Sequence, residues 1–173
     1  MSGHIFTVDL GRCTGCFACA VACQDRAGIS DDVSWLRVSC HEKGAFPQPQ
    51  IVYRVIHCFH CANPSCIPAC PTDAIARQSD GLVQIDPKAC IGCGACVEAC
   101  PFGAIYLSAE GKAAKCDGCE DEVAQGQEPT CVRACPMRAL DYAPVIETPI
   151  RRAPDKIFDE HNQEPAVIYW VFE

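Results

Sequence analysis

Sixteen of the seventeen cysteines in this 173-residue chain fall into four runs of four. The runs are Cys13, Cys16, Cys19, Cys23; then Cys58, Cys61, Cys66, Cys70; then Cys90, Cys93, Cys96, Cys100; and last Cys116, Cys119, Cys131, Cys135. The third has the C-x2-C-x2-C-x3-C-P spacing that holds a cubane [4Fe–4S] cluster, the fourth cysteine of each such run ligating the other run's cluster. Three cysteines on a tight loop can each put a thiolate on a different iron of one cubane. The fourth, four residues on along a helix start, is carried roughly 6 Å further along the axis and reaches a neighbouring cluster. Two clusters joined this way lie on the order of 10 Å apart. The chemistry available to such residues is the transfer of single electrons.

Zinc is the competing metal, since it also takes C-x2-C pairs. A tetrahedral zinc site uses four ligands, typically as two pairs split by a longer spacer. The recurring exits CPTDAI at 70, CPFGAI at 100 and CPMRAL at 135 point instead to a duplicated cubane-binding unit. Cys40 belongs to no quartet and reads as an inert buried thiol. His57 and His60 flank Cys58, where a histidine of the Rieske type is the alternative ligand. With all sixteen quartet positions already cysteine, both read as packing or hydrogen-bonding residues. Arg12, Lys88 and Lys115 each lie within two residues of a quartet's first cysteine and read as surface or capping groups; a nearby cation would raise a cluster's potential. There is no phosphate loop, no dinucleotide fingerprint after a strand and no nucleophile elbow. On its own the chain is therefore not an enzyme, and atom or hydride transfer belongs to a partner.

The elements that must position these cysteines are short. Residues 4–10, HIFTVDL, alternate well enough to predict a strand leading into Arg12 and the first quartet. That quartet is followed by Gln24 and Asp25 in place of proline, so the helix begun there can continue. Residues 24–57 form an insertion with strands predicted over 35–40 and 51–56, separated by the turn-rich HEKGAFPQPQ. It offers a surface on which a partner could dock. AIARQSDGLVQID predicts a hairpin turning at Ser-Asp-Gly, and AIYLSAEGKAAKC a second turning at Ala-Glu-Gly. The fourth quartet is stretched by the acidic, polar DGCEDEVAQGQEPTC. Residues 144–173 are proline-broken and polar until AVIYWVFE, which is too apolar for a free tail. That end either completes a sheet as an edge strand or docks on another subunit or a second copy.

Composition bounds the rest. The length suits one ordinary domain or two small pseudo-repeated lobes. Cysteine at about a tenth of the chain would mark a disulfide scaffold in a small secreted protein. Here the count is odd, the runs are too tight to cross-link distant segments, and MSGHIFTVDL lacks a basic n-region, an apolar h-region and a twin arginine. Metal-bound thiols in a reducing compartment are the expectation, hence a cytoplasmic protein whose only membrane contact is peripheral, through a partner. No apolar run approaches the length of a membrane span. The formal net charge of −8, made more negative by clusters, disfavours nucleic acid and favours complementary patches on redox partners.

The order of quartet spacings, with four residues between the second and third cysteines of the second quartet and eleven in the fourth, joins KCDGC and CVRACPMRALDYAP to give a specific resemblance. The chain resembles the four-cluster iron–sulfur subunits of molybdopterin oxidoreductases, of the dimethyl sulfoxide reductase type, over residues 5 to about 145. Polysulfide reductase subunits and the small subunits accompanying tungsten aldehyde oxidoreductases are close by. The resemblance implies an α+β fold of two pseudo-repeated ferredoxin-like lobes with short hairpins and short helices. The outer lobe would comprise 1–34 and 108–145, the inner lobe 57–107, with inserted strands at 35–56 and a C-terminal docking extension at 146–173. It implies four [4Fe–4S] clusters: Cys13, Cys16, Cys19 with Cys135; Cys58, Cys61, Cys66 with Cys100; Cys90, Cys93, Cys96 with Cys70; and Cys116, Cys119, Cys131 with Cys23. It implies a large molybdenum- or tungsten-pterin catalytic subunit and a second redox partner, whether flavoprotein, ferredoxin or membrane anchor. The reading is an electron relay between the two. A free-standing polyferredoxin carrier is the alternative, and it would have little use for the insertion or the apolar end.

Overall fold

A β-strand that must bury both faces cannot alternate cleanly, and the first strand shows it: Phe6, Thr7 and Val8 are all buried. The structure is a computed structural model that describes residues 4–29, 33–144 and 167–170. Strand β1 (His4–Asp9) is the centre of a three-stranded sheet, with β8 (Leu140–Pro144) antiparallel on one side and β9 (Val167–Trp170) parallel on the other. The apolar end of the chain therefore pairs with the chain's own first strand. Full burial of Phe6 and Val8 contributes about 1.5–3 kcal/mol each.

The sheet also brings distant quartets together. The loop to Cys13 leaves β1 at Asp9, whose carboxylate accepts the N–H groups of Gly11 and Arg12 at 2.9 and 3.2 Å. Strand β8 starts five residues after Cys135 and opposes Val8 with Leu140. The first and last quartets, separated in sequence by the other two, thus emerge at the same end of one strand pair.

Helix α1 (Ala18–Ala27) runs on past Cys23, as the missing proline predicts, and stops at Gly28 in the left-handed conformation. It packs on the short α4 (Thr130–Arg133). The insertion forms the hairpin of β2 (Arg37–Lys43) and β3 (Gln50–Ile56). It is no detached module: Leu36 and Val55 join the core of Phe6, Val8 and Leu140. A side chain on Gly15 would meet the Tyr53 ring at 2.4 Å, so the first quartet's loop lies directly against β3.

Two smaller hairpins follow, β4 (Ile75–Arg77) with β5 (Val83–Ile85), and β6 (Tyr106–Leu107) with β7 (Ala113–Ala114). Both turn at the predicted residues and by one device. Gly81 and Gly111, at φ 93° and 73°, close loops in which their N–H groups donate to the carbonyls of Gln78 and Ser108. The hairpins and α2 (Ala95–Ala99) enclose a second core of Ala74, Ile75, Val83 and Ile105, with Cys90 and Cys96 among them. Helix α3 (Glu120–Ala124) carries the acidic excursion. The result is a mixed α and β chain of short elements, in which no helix among the described residues is long and apolar enough to cross a membrane.

Candidate iron–sulfur centres

Three cavities are each ringed by four cysteines, three from one quartet and one from another. The largest, about 380 Å³, is lined by Cys58, Cys61, Cys66 and Cys100. A second, about 310 Å³, is lined by Cys90, Cys93, Cys96 and Cys70, and a third, about 300 Å³, by Cys13, Cys16, Cys19 and Cys135. The remaining four lie close to one another: Cys119 and Cys23 are the strongest electrostatic neighbours of Cys131, and Cys131 and Cys23 act on Cys116. Among the described residues no three His, Cys, Asp or Glu side chains are gathered tightly enough for a single ion. The donor set is thiol throughout and surrounds volumes suited to a multinuclear group, so it fits iron–sulfur cubanes.

Local backbone geometry explains why the motifs recur. The residue before the second cysteine is left-handed in every quartet: Gly15, His60, Gly92 and Gly118. So is the residue three after the last cysteine in the three Cys-Pro exits, namely Asp73, Gly103 and Arg138. This second turn aims the next N–H back at sulfur. Ala104 donates to Cys100 Sγ at 3.5 Å and Ala139 to Cys135 Sγ at 3.3 Å. Ala113 and Gly118 donate to Cys90 Sγ and Cys116 Sγ at 3.5 Å each. Backbone donors on ligand sulfur are one of the levers that set a cluster's potential.

Burial dominates the acidity of the thiols. It pushes Cys61 up to about 12 and Cys66 to about 11, the neighbouring Cys58 adding in both cases and Lys115 opposing at Cys66. It raises Cys19 to about 11 and Cys23 to about 12, with Cys13 and Cys119 the next contributors. Cys70 runs the other way, because hydrogen bonds from Thr72, Ala74 and Ile75 outweigh its burial. Buried thiols of this kind hold their protons at neutral pH, so taking up metal must displace them.

Basic side chains grip the carbonyls of these loops. Arg77 donates to Cys61 O, Lys112 to Cys90 O, and Lys115 to Cys116 O at 3.0 Å. Arg12 reaches Arg138 O at 3.4 Å. Arg77 and Lys112 escaped notice in the sequence because they belong to the hairpins rather than lying beside the cysteines, Arg77 at the end of β4 and Lys112 just before β7. Lys88 is exposed, as expected, whereas Lys115 is 4% exposed and is no surface group. Its Nζ also donates to Val83 O, pinning the β4–β5 hairpin to the fourth quartet. Cys40 requires the opposite correction, since it lies exposed on β2 and is not a buried thiol.

Both histidines are buried and hydrogen-bonded. His57 Nδ1–H donates to Cys58 O at 2.7 Å, and its ring meets Phe6 edge to face at 4.8 Å. Burial lowers it to about 4. His60 Nδ1 accepts the Val83 N–H at 2.9 Å, and burial likewise holds it well below its ordinary value. The Nε2 atoms of both rings and the buried Trp35 Nε1 have no protein hydrogen-bond partner.

Comparison with known proteins places these cysteines in context. Residues 49–144 match the 4Fe-4S dicluster domain family. The chain is 41% identical over 151 residues to the B subunit of the anaerobic dimethyl sulfoxide reductase of Escherichia coli, covering 82% of this chain and 74% of that subunit. It is 38% identical to the thiosulfate reductase electron transfer subunit of Salmonella typhi, covering 86% and 80%. It is 35% identical to the nitrate-inducible formate dehydrogenase iron-sulfur subunit of Escherichia coli, covering 78% and 52%.

Proposed function

The chain belongs to the 4Fe-4S dicluster family as an iron–sulfur electron-transfer subunit, and we propose that it is a four-cluster relay serving a large molybdenum- or tungsten-pterin catalytic subunit. The observation that carries the reading is that three cavities each collect three cysteines from one quartet and one from another. In this reading Cys58, Cys61, Cys66 with Cys100, and Cys90, Cys93, Cys96 with Cys70, hold the inner pair. Cys13, Cys16, Cys19 with Cys135, and Cys116, Cys119, Cys131 with Cys23, hold the outer pair. The inner lobe is then 57–107, the outer lobe 1–34 with 108–145, and 35–56 is a hairpin laid on the outer core.

A bound cubane supplies one-electron transfer and nothing more. The protein's part is to hold the ligands, exclude water and join the lobes. Cys58 of the inner lobe and Cys116 of the outer pack with Ala104 in one buried cluster, flanked by Trp35 and Phe102. That contact is the natural crossing between lobes. Relatives named as dimethyl sulfoxide, thiosulfate and formate enzymes support a catalytic partner at one end of the relay. At the other end stands a flavoprotein, a ferredoxin or a membrane anchor, with 146–173 as the docking extension outside β9, whose residues pair with β1. Residues 146–166 and 171–173 of that extension lie outside the described part of the chain. A reducing compartment suits sixteen cysteines that must remain thiols until iron arrives, which supports a cytoplasmic location, peripheral to any membrane.

Iron and sulfide analysis of anaerobically isolated protein tests the count. About sixteen iron atoms per chain are expected, four for each cluster. Iron near eight, or zinc in its place, overturns the reading. Gel filtration of the native protein tests the partner: co-elution with a large subunit is expected, and a lone monomer-sized species would make the chain a free carrier.

A further inference from the structure

His60 stands where the other three quartets have glycine. The equivalent φ angles are 67° at Gly15, 73° at Gly92 and 71° at Gly118, against 44° at His60. A β-carbon is strained in this region, and the turn itself plainly does not need one. The imidazole that occupies the position is 3% exposed and lines the cavity of Cys58, Cys61, Cys66 and Cys100. Its Nδ1 accepts the Val83 N–H, so the neutral ring carries its proton on Nε2. That Nε2–H is buried with no partner in the protein. An orphaned buried donor is costly unless an acceptor arrives. His57 marks the contrast: its Nδ1–H is spent on Cys58 O, leaving Nε2 as a bare lone pair, the wrong polarity to meet anionic sulfur.

We propose that His60 Nε2–H donates to a sulfur of the cluster held by Cys58, Cys61, Cys66 and Cys100, stabilising its reduced form and making it more readily reduced than it is without that donor. A hydrogen bond to sulfur favours the more negative oxidation state. The ring is held for this task through one residue. Val83 donates its N–H to His60 and accepts Lys115 Nζ at its C=O, so Lys115 positions the strand that orients the imidazole. The inference rests on the four-cluster reading above.

The test uses the full, cluster-loaded chain grown with histidine labelled in heavy nitrogen on the imidazole ring alone and reduced for pulsed paramagnetic resonance. One reduced cluster should show a nitrogen coupling that disappears in His60→Gly and survives in His57→Gln. The same His60→Gly protein should lose about tenfold in the one-electron equilibrium constant for reducing that cluster, a fall of ~59 mV. Glycine preserves the turn, as three quartets already demonstrate. If His60→Gly fails to load, the labelled wild-type protein still decides. Absence of coupling there, or a coupling that persists in His60→Gly, overturns the role of His60. Iron at about sixteen per chain in that sample leaves the relay standing; iron near eight overturns the relay instead.

Discussion

Ala104 shows how much rests on one methyl group. It follows a left-handed glycine, sends its N–H to Cys100 Sγ, and is 2% exposed against Cys58 and Cys116. Ala104 lines the cavity of Cys58, Cys61, Cys66 and Cys100, so a branched side chain there crowds the ligand space, and overpacking costs about 1–3 kcal/mol. Ala104→Val should therefore lower iron by about four atoms per chain, the content of one cluster, while leaving the secondary structure intact by circular dichroism. Full iron content in the variant would mean that the methyl does not border a cluster. The alanine of the repeated exit was visible in the sequence as a pattern, yet its reason was not. Only the turn before it shows that the N–H must come within reach of sulfur. Lys115 and Cys40 carry the same lesson, because nothing in their neighbours along the chain says which of the two is buried.

Among the elements, α1 is tied to the stretched fourth quartet by charge. Arg26 in its last turn donates to both carboxylate oxygens of Asp117, at 3.1 and 3.0 Å, and also pairs with Asp121. Glu122 on α3 lies 3.7 Å from Arg26 and accepts hydrogen bonds from Thr130 at 2.6 Å and Arg133 at 2.7 Å. Burial works against ionising Glu122, but these donors outweigh it and hold its carboxyl below 4.5, the ordinary value. A depressed carboxylate stabilises the fold fully above its unfolded pKa and loses that contribution as the pH falls through the folded value. Glu122→Gln should thus be less stable than wild type by about 1–2 kcal/mol near neutrality, with the gap closing below roughly pH 4. Melting curves across pH check this, and a gap that persists in acid would remove the ion-paired role. The excursion reads in the sequence only as acidic and polar; what makes it a clamp is that α1 places Arg26 opposite it.

At the scale of the molecule, β1 joins the two ends of the chain. It pairs with β8 directly after the last quartet and with β9 near the C-terminus. Deleting residues 166–173 removes a whole strand from the sheet that sets the first and fourth quartets side by side. Iron content should hold, because the deleted segment contains no cysteine. The melting temperature should fall, by roughly 4–8 °C if the strand is worth about 2 kcal/mol. An unchanged melting temperature would show that the segment works elsewhere, on a partner or a second copy.

Spacing alone determined the chemistry: sixteen thiols in four quartets, repeated exits through Cys-Pro and two glycine-closed hairpins were all legible, because short-range geometry dictates them. The helix running past Cys23 and the strands of the insertion could be read for the same reason. Tertiary structure decided what depends on contacts across the chain. It laid the insertion on the core around β1, drew Lys115 inside to bridge two quartets through Val83, turned Cys40 outward, and left the Nε2–H of His60 buried without a protein acceptor beside four cysteines. Those outcomes depend on what each residue faces, and periodicity along one strand carries no record of the strand opposite.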